Sequence, residues 1–186
     1  ALFVVIAGGL HLVLWVTLNT HVDGSTQRFA ALLRAAPLSH HARAYGAGTL
    51  ARHERDRGRH RASFESYRMA VAAAPDNPRF LRGAGFQAIE LEEHDEALRF
   101  FIAALQIDSS DVAAWEGTGV ARMSRGDHDG GLQALQRAVV LSPRESEYLV
   151  NLCQAHNRVG HYQQAIDACK RALAIDAEDS AAHYQL

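Results

Sequence analysis

Hydrophobic positions recur along most of the chain with the spacing of amphipathic helices, and the whole pattern repeats every 34 residues. The repeated ranges are 44–77, 78–111, 112–145 and 146–179, with no residue inserted between them. Each range predicts two antiparallel helices joined by a short turn. Because one such pair cannot bury its apolar side alone, neighbouring pairs are expected to stack into a solenoid with a concave groove.

Several positions of the repeat are suited to close packing or to turns. Three positions are small in every repeat, as close contact between helices requires: position 8 (Ala51, Gly85, Gly119, Cys153), position 20 (Ser63, Ala97, Gly131, Ala165) and position 27 (Ala70, Ala104, Ala138, Ala172). Position 24 holds the residue that packs into this contact (Tyr67, Phe101, Leu135, Cys169). Position 15 suits a turn (Gly58, Glu92, Gly126, Gly160). Asn77 and Asp111 stand where helix N-caps are expected.

The repeat resembles the tetratricopeptide repeat family. The clearest copy is the third, which carries Trp115, Thr118, Gly119, Leu135, Ala138 and Pro143. The resemblance covers residues 44–179 and implies a helical solenoid of four repeats that binds other proteins. Residues 180–186 either begin a fifth repeat or form a capping helix.

The N-terminal segment has a different pattern, because residues 1–18 contain no Asp, Glu, Lys or Arg. A helix of eighteen residues spans about 27 Å, close to the thickness of a membrane's hydrocarbon core. We therefore predict a transmembrane helix over 1–20, with Trp15 near the interface. A cleaved signal peptide is disfavoured because no basic segment or small-residue cleavage site is visible, and a buried core helix because no polar side is visible.

The predicted fold is therefore all-α: a single transmembrane helix at 1–20, a linker with a short amphipathic helix at 21–43, and the repeats. Hydrophobic residues make up 48% and charged residues 22%, which excludes a disordered chain. The net charge of −2 gives no general reason to expect nucleic-acid binding. Cys153 and Cys169 are expected as buried small hydrophobic residues, with a disulfide as the alternative.

No catalytic motif is present, so we expect neither an enzyme nor a cofactor. His60, His94 and His128 recur at position 17 of three repeats. Neighbouring repeats lie about 10 Å apart, whereas zinc needs each nitrogen at about 2 Å. A packing role in the turn is therefore favoured over a metal site.

The resemblance also implies which residues line a protein-binding groove, since positions 2, 5, 6, 9, 12 and 13 of each first helix face it in the family. Arginines at one end, apolar residues in the middle and amides at the other suit an extended peptide or a partner helix. The predicted groove residues are Arg52, Arg55, Arg79, Arg82, Phe86, Ile89, Glu116, Val120, Met123, Glu147, Asn151, Gln154, Asn157 and Arg158.

His11 is the only ionisable side chain of the N-terminal apolar segment. Gly8 and Gly9 lie beside it, and Ala7 shares its face in a helix. This pattern resembles the pigment-ligating helix of bacterial antenna polypeptides, in which a histidine binds bacteriochlorophyll. We favour an interhelical contact at His11, Gly8, Gly9 and Trp15, with pigment ligation as the alternative.

Together these features predict a membrane-anchored scaffold subunit that binds other subunits of a membrane complex and membrane lipid, without a small-molecule substrate or nucleic acid. A bacterial inner-membrane location with the repeats outside the cytoplasm is expected. From Arg28 to Arg61 there are eight arginines against two acids, so this end could meet anionic lipid or an acidic partner. The alternatives are an accessory subunit of a photosynthetic or respiratory complex, and the adaptor part of a longer enzyme.

Overall fold

The computed structural model describes residues 2–5, 13–15 and 23–186, and it confirms the predicted all-α helical repeat fold of the solenoid. The chain divides into two compact units, Ala1–Asp76 and Asn77–Leu186. The N-terminal unit contains helices α1 (Asp23–Ala35), α2 (His40–Asp56) and α3 (His60–Ala73). The C-terminal unit contains α4 (Pro78–Glu90), α5 (His94–Ile107), α6 (Val112–Ser124), α7 (His128–Leu141), α8 (Ser146–Arg158), α9 (Tyr162–Ile175) and α10 (Ser180–Gln185).

Two short strands, β1 (Leu2–Val5) and β2 (Val13–Trp15), pair antiparallel near the N-terminus. The transmembrane helix predicted over 1–20 is therefore wrong at these residues, and its other positions lie outside the described residues. Both segments are rich in β-branched and aromatic residues, and a short apolar run suits a strand as well as a helix. Among the residues that the structure describes, no helix is both long and apolar enough to span a bilayer.

In the N-terminal unit, α1 lies within the predicted linker and packs through Phe29 and Leu33, which are 8% and 3% exposed. The guanidinium of Arg43, in α2, donates hydrogen bonds to the carbonyl oxygens of Leu33 (3.1 Å) and Ala36 (3.2 Å). Arg43 therefore satisfies two carbonyls at the C-terminal end of α1 and fixes the connection to α2.

The C-terminal unit is built from helix pairs that repeat in exact register with the sequence. Its first helices begin at Pro78, Val112, Ser146 and Ser180, each 34 residues after the one before. The predicted N-caps are confirmed, since Asn77 Oδ1 accepts from the backbone N–H of Arg79 and Asp111 Oδ1 from that of Ala114, each at 3.1 Å. These caps satisfy backbone donors that the first turn of a helix leaves free.

Within each pair, positions 8 and 24 of the repeat bring the two helices together. A Cβ added at Gly85 would lie 2.7 Å from the ring of Phe101, and one added at Gly119 would meet the side chain of Leu135. In α8–α9 the two positions hold Cys153 and Cys169, which form a disulfide with a Cα–Cα distance of 5.5 Å. Both cysteines are fully buried, as expected, but the favoured prediction of two free thiols is wrong. Positions 8 and 24 approach closely in the other pairs, and the two sulfur atoms at these positions of α8–α9 are close enough to bond.

The turns inside the pairs use the left-handed backbone conformation at position 15. Gly58, Gly126 and Gly160 have φ values of 68°, 81° and 80°, and Glu92 occupies the same position with φ 60°. The following N–H donates back to a carbonyl of the preceding helix, as His161 does to His156 at 2.9 Å. The structure therefore confirms the predicted turns, three of them at a residue without a Cβ and one at a residue that carries one.

Candidate protein-binding cleft

The C-terminal unit has a cleft of about 180 Å³ between α6 and α8, the first helices of two neighbouring repeats. Its floor is apolar, and amide and guanidinium groups lie along one side. The lining residues are Val120, Met123, Ser124, Leu135, Asn151, Gln154, Ala155 and Arg158. An apolar cleft with a few polar groups is the usual form of a binding site.

One side of α8 carries a line of four polar residues, three of which line the cleft. Glu147, Asn151, Gln154 and Arg158 are spaced by four, three and four residues, which places them on one face of a helix. Glu147, Gln154 and Arg158 are exposed, and none of them has a hydrogen bond or ion pair to another residue that the structure describes. We call these four residues the α8 stripe; three of its members are free to contact a ligand.

Glu116 of α6 lies next to the stripe and is half-buried. Asn151 donates a hydrogen bond of 2.7 Å from Nδ2 to Glu116 Oε1. Burial, and then the charge of Glu147, raise the pKa of Glu116 to about 7, although the hydrogen bond from Asn151 acts in the opposite direction. Two carboxyl groups therefore lie at the end of the stripe that holds Glu147, and the charge of Glu147 favours the neutral form of Glu116.

Tyr148 responds to the same carboxylates. Burial raises the pKa of its phenol first, and the charges of Glu116 and Glu147 raise it further. The charge of Arg82, in α4, lowers the pKa of Tyr148, but Arg82 is already paired with Asp111, at 2.9 Å and 3.0 Å from its two carboxylate oxygens. Among the described residues, Glu116 and Glu147 therefore form no ion pair.

The structure brings together part of the groove predicted from the sequence. Val120, Met123, Asn151, Gln154 and Arg158 all line the cleft. Met123 is only 4% exposed and forms its floor rather than a projecting contact. Glu116 joins this group through its hydrogen bond to Asn151.

Other predicted groove residues have different contacts. Phe86 packs edge-on against Phe101 at 5.0 Å, and Ile89 is partly buried. Asn157 donates hydrogen bonds from Nδ2 to the backbone carbonyl (3.0 Å) and the side-chain oxygen (3.2 Å) of Gln185 in α10. These hydrogen bonds connect Asn157 of α8 to α10. The remaining residue, Arg79, is exposed on α4.

The remaining predictions fall elsewhere in the chain. Arg52 and Arg55 lie exposed on α2 in the N-terminal unit, and Arg55 is paired with Asp56 at 2.9 Å. Three residues of the predicted membrane-helix contact, His11, Gly8 and Gly9, lie outside the described residues. The fourth, Trp15, is the last residue of strand β2.

Sequence reasoning missed several contributors to the cleft. Leu135 was assigned only to packing inside its pair, and Ala155 occupies position 10, which the family pattern does not place in the groove. Ser124 occupies position 13, which faces the groove in the family, but it was not among the predicted groove residues. The alternation of charged and amide residues along α8 was visible in the sequence and could have indicated the stripe.

Three features define an α-helical repeat protein: helix pairs in a constant register, small residues where the helices meet, and a cleft between successive first helices. Across residues 2–5, 13–15 and 23–186, no group of three His, Cys, Asp or Glu side chains is placed to hold a metal ion.

The chain belongs to the tetratricopeptide repeat family. The family model for the tetratricopeptide repeat matches residues 49–112, 87–146 and 117–181, which together cover well over half of the chain. Members of this family bind other proteins or peptides.

Relatives and solved structures agree with this assignment. The chain is 32% identical over 71 residues to the human PEX5-related protein and 26% identical over 94 residues to anaphase-promoting complex subunit 3 of Schizosaccharomyces pombe, but the matches span only 11% and 14% of those proteins. A crystal structure of MamA has a TM-score of 0.71 at 18% identity, covering 85% of this chain and 90% of that one. YrrB, described as a protein of the same repeat class with an unusual peptide-binding site, has a TM-score of 0.71 at 16% identity over 86% and 80%. At these identities the structures show a shared fold.

Proposed function

We propose that this protein is a non-enzymatic scaffold whose cleft between α6 and α8 binds an extended segment of another protein. The observation that carries the proposal is the α8 stripe, in which exposed Gln154 and Arg158 border an apolar floor of Val120 and Met123. Amide side chains can hydrogen-bond to both the N–H and the C=O groups of a peptide backbone. The floor can accept an apolar side chain between those contacts.

The form of the cleft favours an extended segment over a small molecule. A volume of about 180 Å³ is below the range of roughly 300–1,000 Å³ that is typical of small-molecule sites. A narrow cleft with polar groups along one side instead suits a strand that lies lengthwise between two helices. YrrB, which shares this fold, has a peptide-binding site, and this supports the same class of ligand.

Selection from a randomised peptide library against the chain of residues 1–186 tests this function. Val120→Arg places a charged side chain in the cleft, and we expect it to weaken the selected peptides at least about tenfold. Val140→Arg is the matched control, because Val140 is 66% exposed and lines a different groove, between α7 and α9. Loss of binding in the Val140 variant alone would transfer the site to that outer groove and contradict the proposal.

A milder variant guards against loss of the fold. Gln154 is exposed, so Gln154→Ala should leave the unfolding transition unchanged. Loss of its hydrogen bonds to a peptide should weaken binding about 2- to 10-fold. Unchanged affinity in both Gln154→Ala and Val120→Arg would rule out the cleft as the binding site.

We further propose that the scaffold serves a membrane complex, with residues 1–18 as the part that contacts lipid. The support is compositional, because that segment contains no Asp, Glu, Lys or Arg. Flotation with phospholipid vesicles, with and without residues 1–22, tests it: equal flotation of the two forms would exclude lipid contact through this segment. Ligation of a pigment by His11 stays a prediction that an absorption spectrum of the native complex would test.

A further inference from the structure

The α8 stripe, of which Asn151, Gln154 and Arg158 line the cleft, has charges of opposite sign at its two ends, which is more than peptide binding alone requires. Glu147 is in the first turn of α8 and Arg158 is its last residue. Glu116 adds a second carboxyl group at the Glu147 end, where its hydrogen bond to Asn151 holds it. The two ends of the α8 stripe therefore offer opposite charges to a ligand.

The charged ends are available because their groups have no partners in the part of the chain that the structure describes. Among the described residues, neither Glu147 nor Arg158 forms an ion pair or a hydrogen bond, and both are exposed. The effect of Glu147 on Glu116 and on Tyr148 shows that two carboxyl groups share one region. A ligand cation placed there would relieve the repulsion between them.

The length of the stripe sets the spacing of the complementary charges. Arg158 lies eleven positions after Glu147 in the helix, a rise of about 16 Å. An extended peptide rises about 3.3 Å per residue, so roughly five residues cover the same distance. The apolar floor formed by Val120, Met123 and Leu135 lies beside the part of the stripe that runs from Asn151 to Arg158.

Resting on the proposed function, we propose that the cleft selects an extended segment with a basic side chain and an acidic group about five residues apart, and an apolar residue between them. The basic side chain lies against Glu116 and Glu147, the backbone lies along Asn151 and Gln154, and the acidic group pairs with Arg158. The charges of the cleft thus determine which segment binds and in which position along α8.

The test combines changes in the protein with changes in the peptide. Peptides selected on the wild-type chain should be enriched in Lys or Arg about five positions from Asp or Glu. For the most enriched peptide, fluorescence anisotropy should show affinity about 3- to 10-fold lower with Glu147→Lys, and likewise with Arg158→Glu. Replacing the peptide's basic residue by Gln should remove the effect of Glu147→Lys but not that of Arg158→Glu.

Two control variants distinguish the effect of a charge in the α8 stripe from the effect of the protein's net charge. Glu178→Lys and Lys170→Glu change the net charge by the same amounts at exposed sites away from the stripe, and they should leave the affinity unchanged. Equal effects of Glu147→Lys and Glu178→Lys, or a selected pool without the charge pattern, would overturn the inference. If Val120→Arg and Gln154→Ala still weakened binding in that case, the proposed peptide-binding function would stand without this selectivity; if they did not, both would fail.

Discussion

The helix pairs α4–α5 and α8–α9 meet the same packing demand by different chemistry. In α4–α5 the ring of Phe101 fills the space beside Gly85, and it also lies against Gly117 of α6. In α8–α9 the corresponding positions, Cys153 and Cys169, are covalently bonded. The repeat therefore sets the distance between the two helices of a pair. The residues at positions 8 and 24 then determine whether side-chain packing or a covalent bond joins the helices.

The largest expected effect is on the pair that depends on shape. Phe101→Ala removes a fully buried ring and leaves a cavity between two glycines, so the free energy of unfolding should fall by about 3–5 kcal/mol. Ile102→Ala, at the next position of α5, is the control, because Ile102 is 42% exposed. Urea denaturation followed by circular dichroism measures both, and equal losses would contradict the assignment of Phe101 to the core.

The second prediction concerns the pair that depends on a bond. The disulfide joins residues 16 positions apart, and a closed loop of that length stabilises by about 3 kcal/mol. Unfolding with and without a dithiol reductant should differ by that amount. The double variant Cys153→Gly with Cys169→Leu copies the pair Gly119 and Leu135 of α6–α7, and its stability should not respond to the reductant. A reductant effect in that variant would show that another group is responsible.

The turns of the two pairs give a smaller contrast. Glu92 has a left-handed backbone in the turn of α4–α5, where Gly160 stands in α8–α9. Glu92→Gly should raise the free energy of unfolding by about 0.5–1 kcal/mol, and Gly160→Ala should lower it by about 1 kcal/mol. Thermal unfolding of the two variants measures the difference, and a loss of stability in Glu92→Gly would show that the glutamate side chain has a stabilising contact.

The last prediction concerns pH and the contact of α8 with α6. The pKa of Glu116, in α6, is raised from 4.5 to about 7, so the folded state binds more protons than the unfolded state between these pH values. The contribution of Glu116 to stability is therefore fully present below pH 4.5 and is lost as the pH rises through about 7. In Glu116→Gln the melting temperature should fall less between pH 5 and 8 than in the wild type. Identical pH profiles would contradict the raised pKa.

The repeat architecture was predictable because its determinants are local and recur four times. The caps at Asn77 and Asp111 and the turns at Gly126 and Gly160 each follow from one residue and its neighbours. The N-terminal strands were missed because a short apolar run without a polar side has no periodicity that separates helix from strand.

The cleft was only partly predictable, because its lining depends on which side chains are already engaged in contacts within the fold. Phe86 turns against Phe101, and Asn157 binds Gln185, so neither is free for a ligand. The disulfide was left open for a related reason: the sequence placed Cys153 and Cys169 at facing positions, but facing positions do not determine whether two sulfurs bond.

The disulfide also has a consequence for how the array opens. In a repeat protein each pair contacts only its neighbours, so local unfolding spreads by separating one helix from the next. The helices α8 and α9 cannot move far apart while Cys153 is bonded to Cys169. Amide hydrogens of α8 should then exchange with solvent more slowly than those of α4, and reduction should remove that difference. The bond thus limits the spread of unfolding through α8, the helix that carries the α8 stripe.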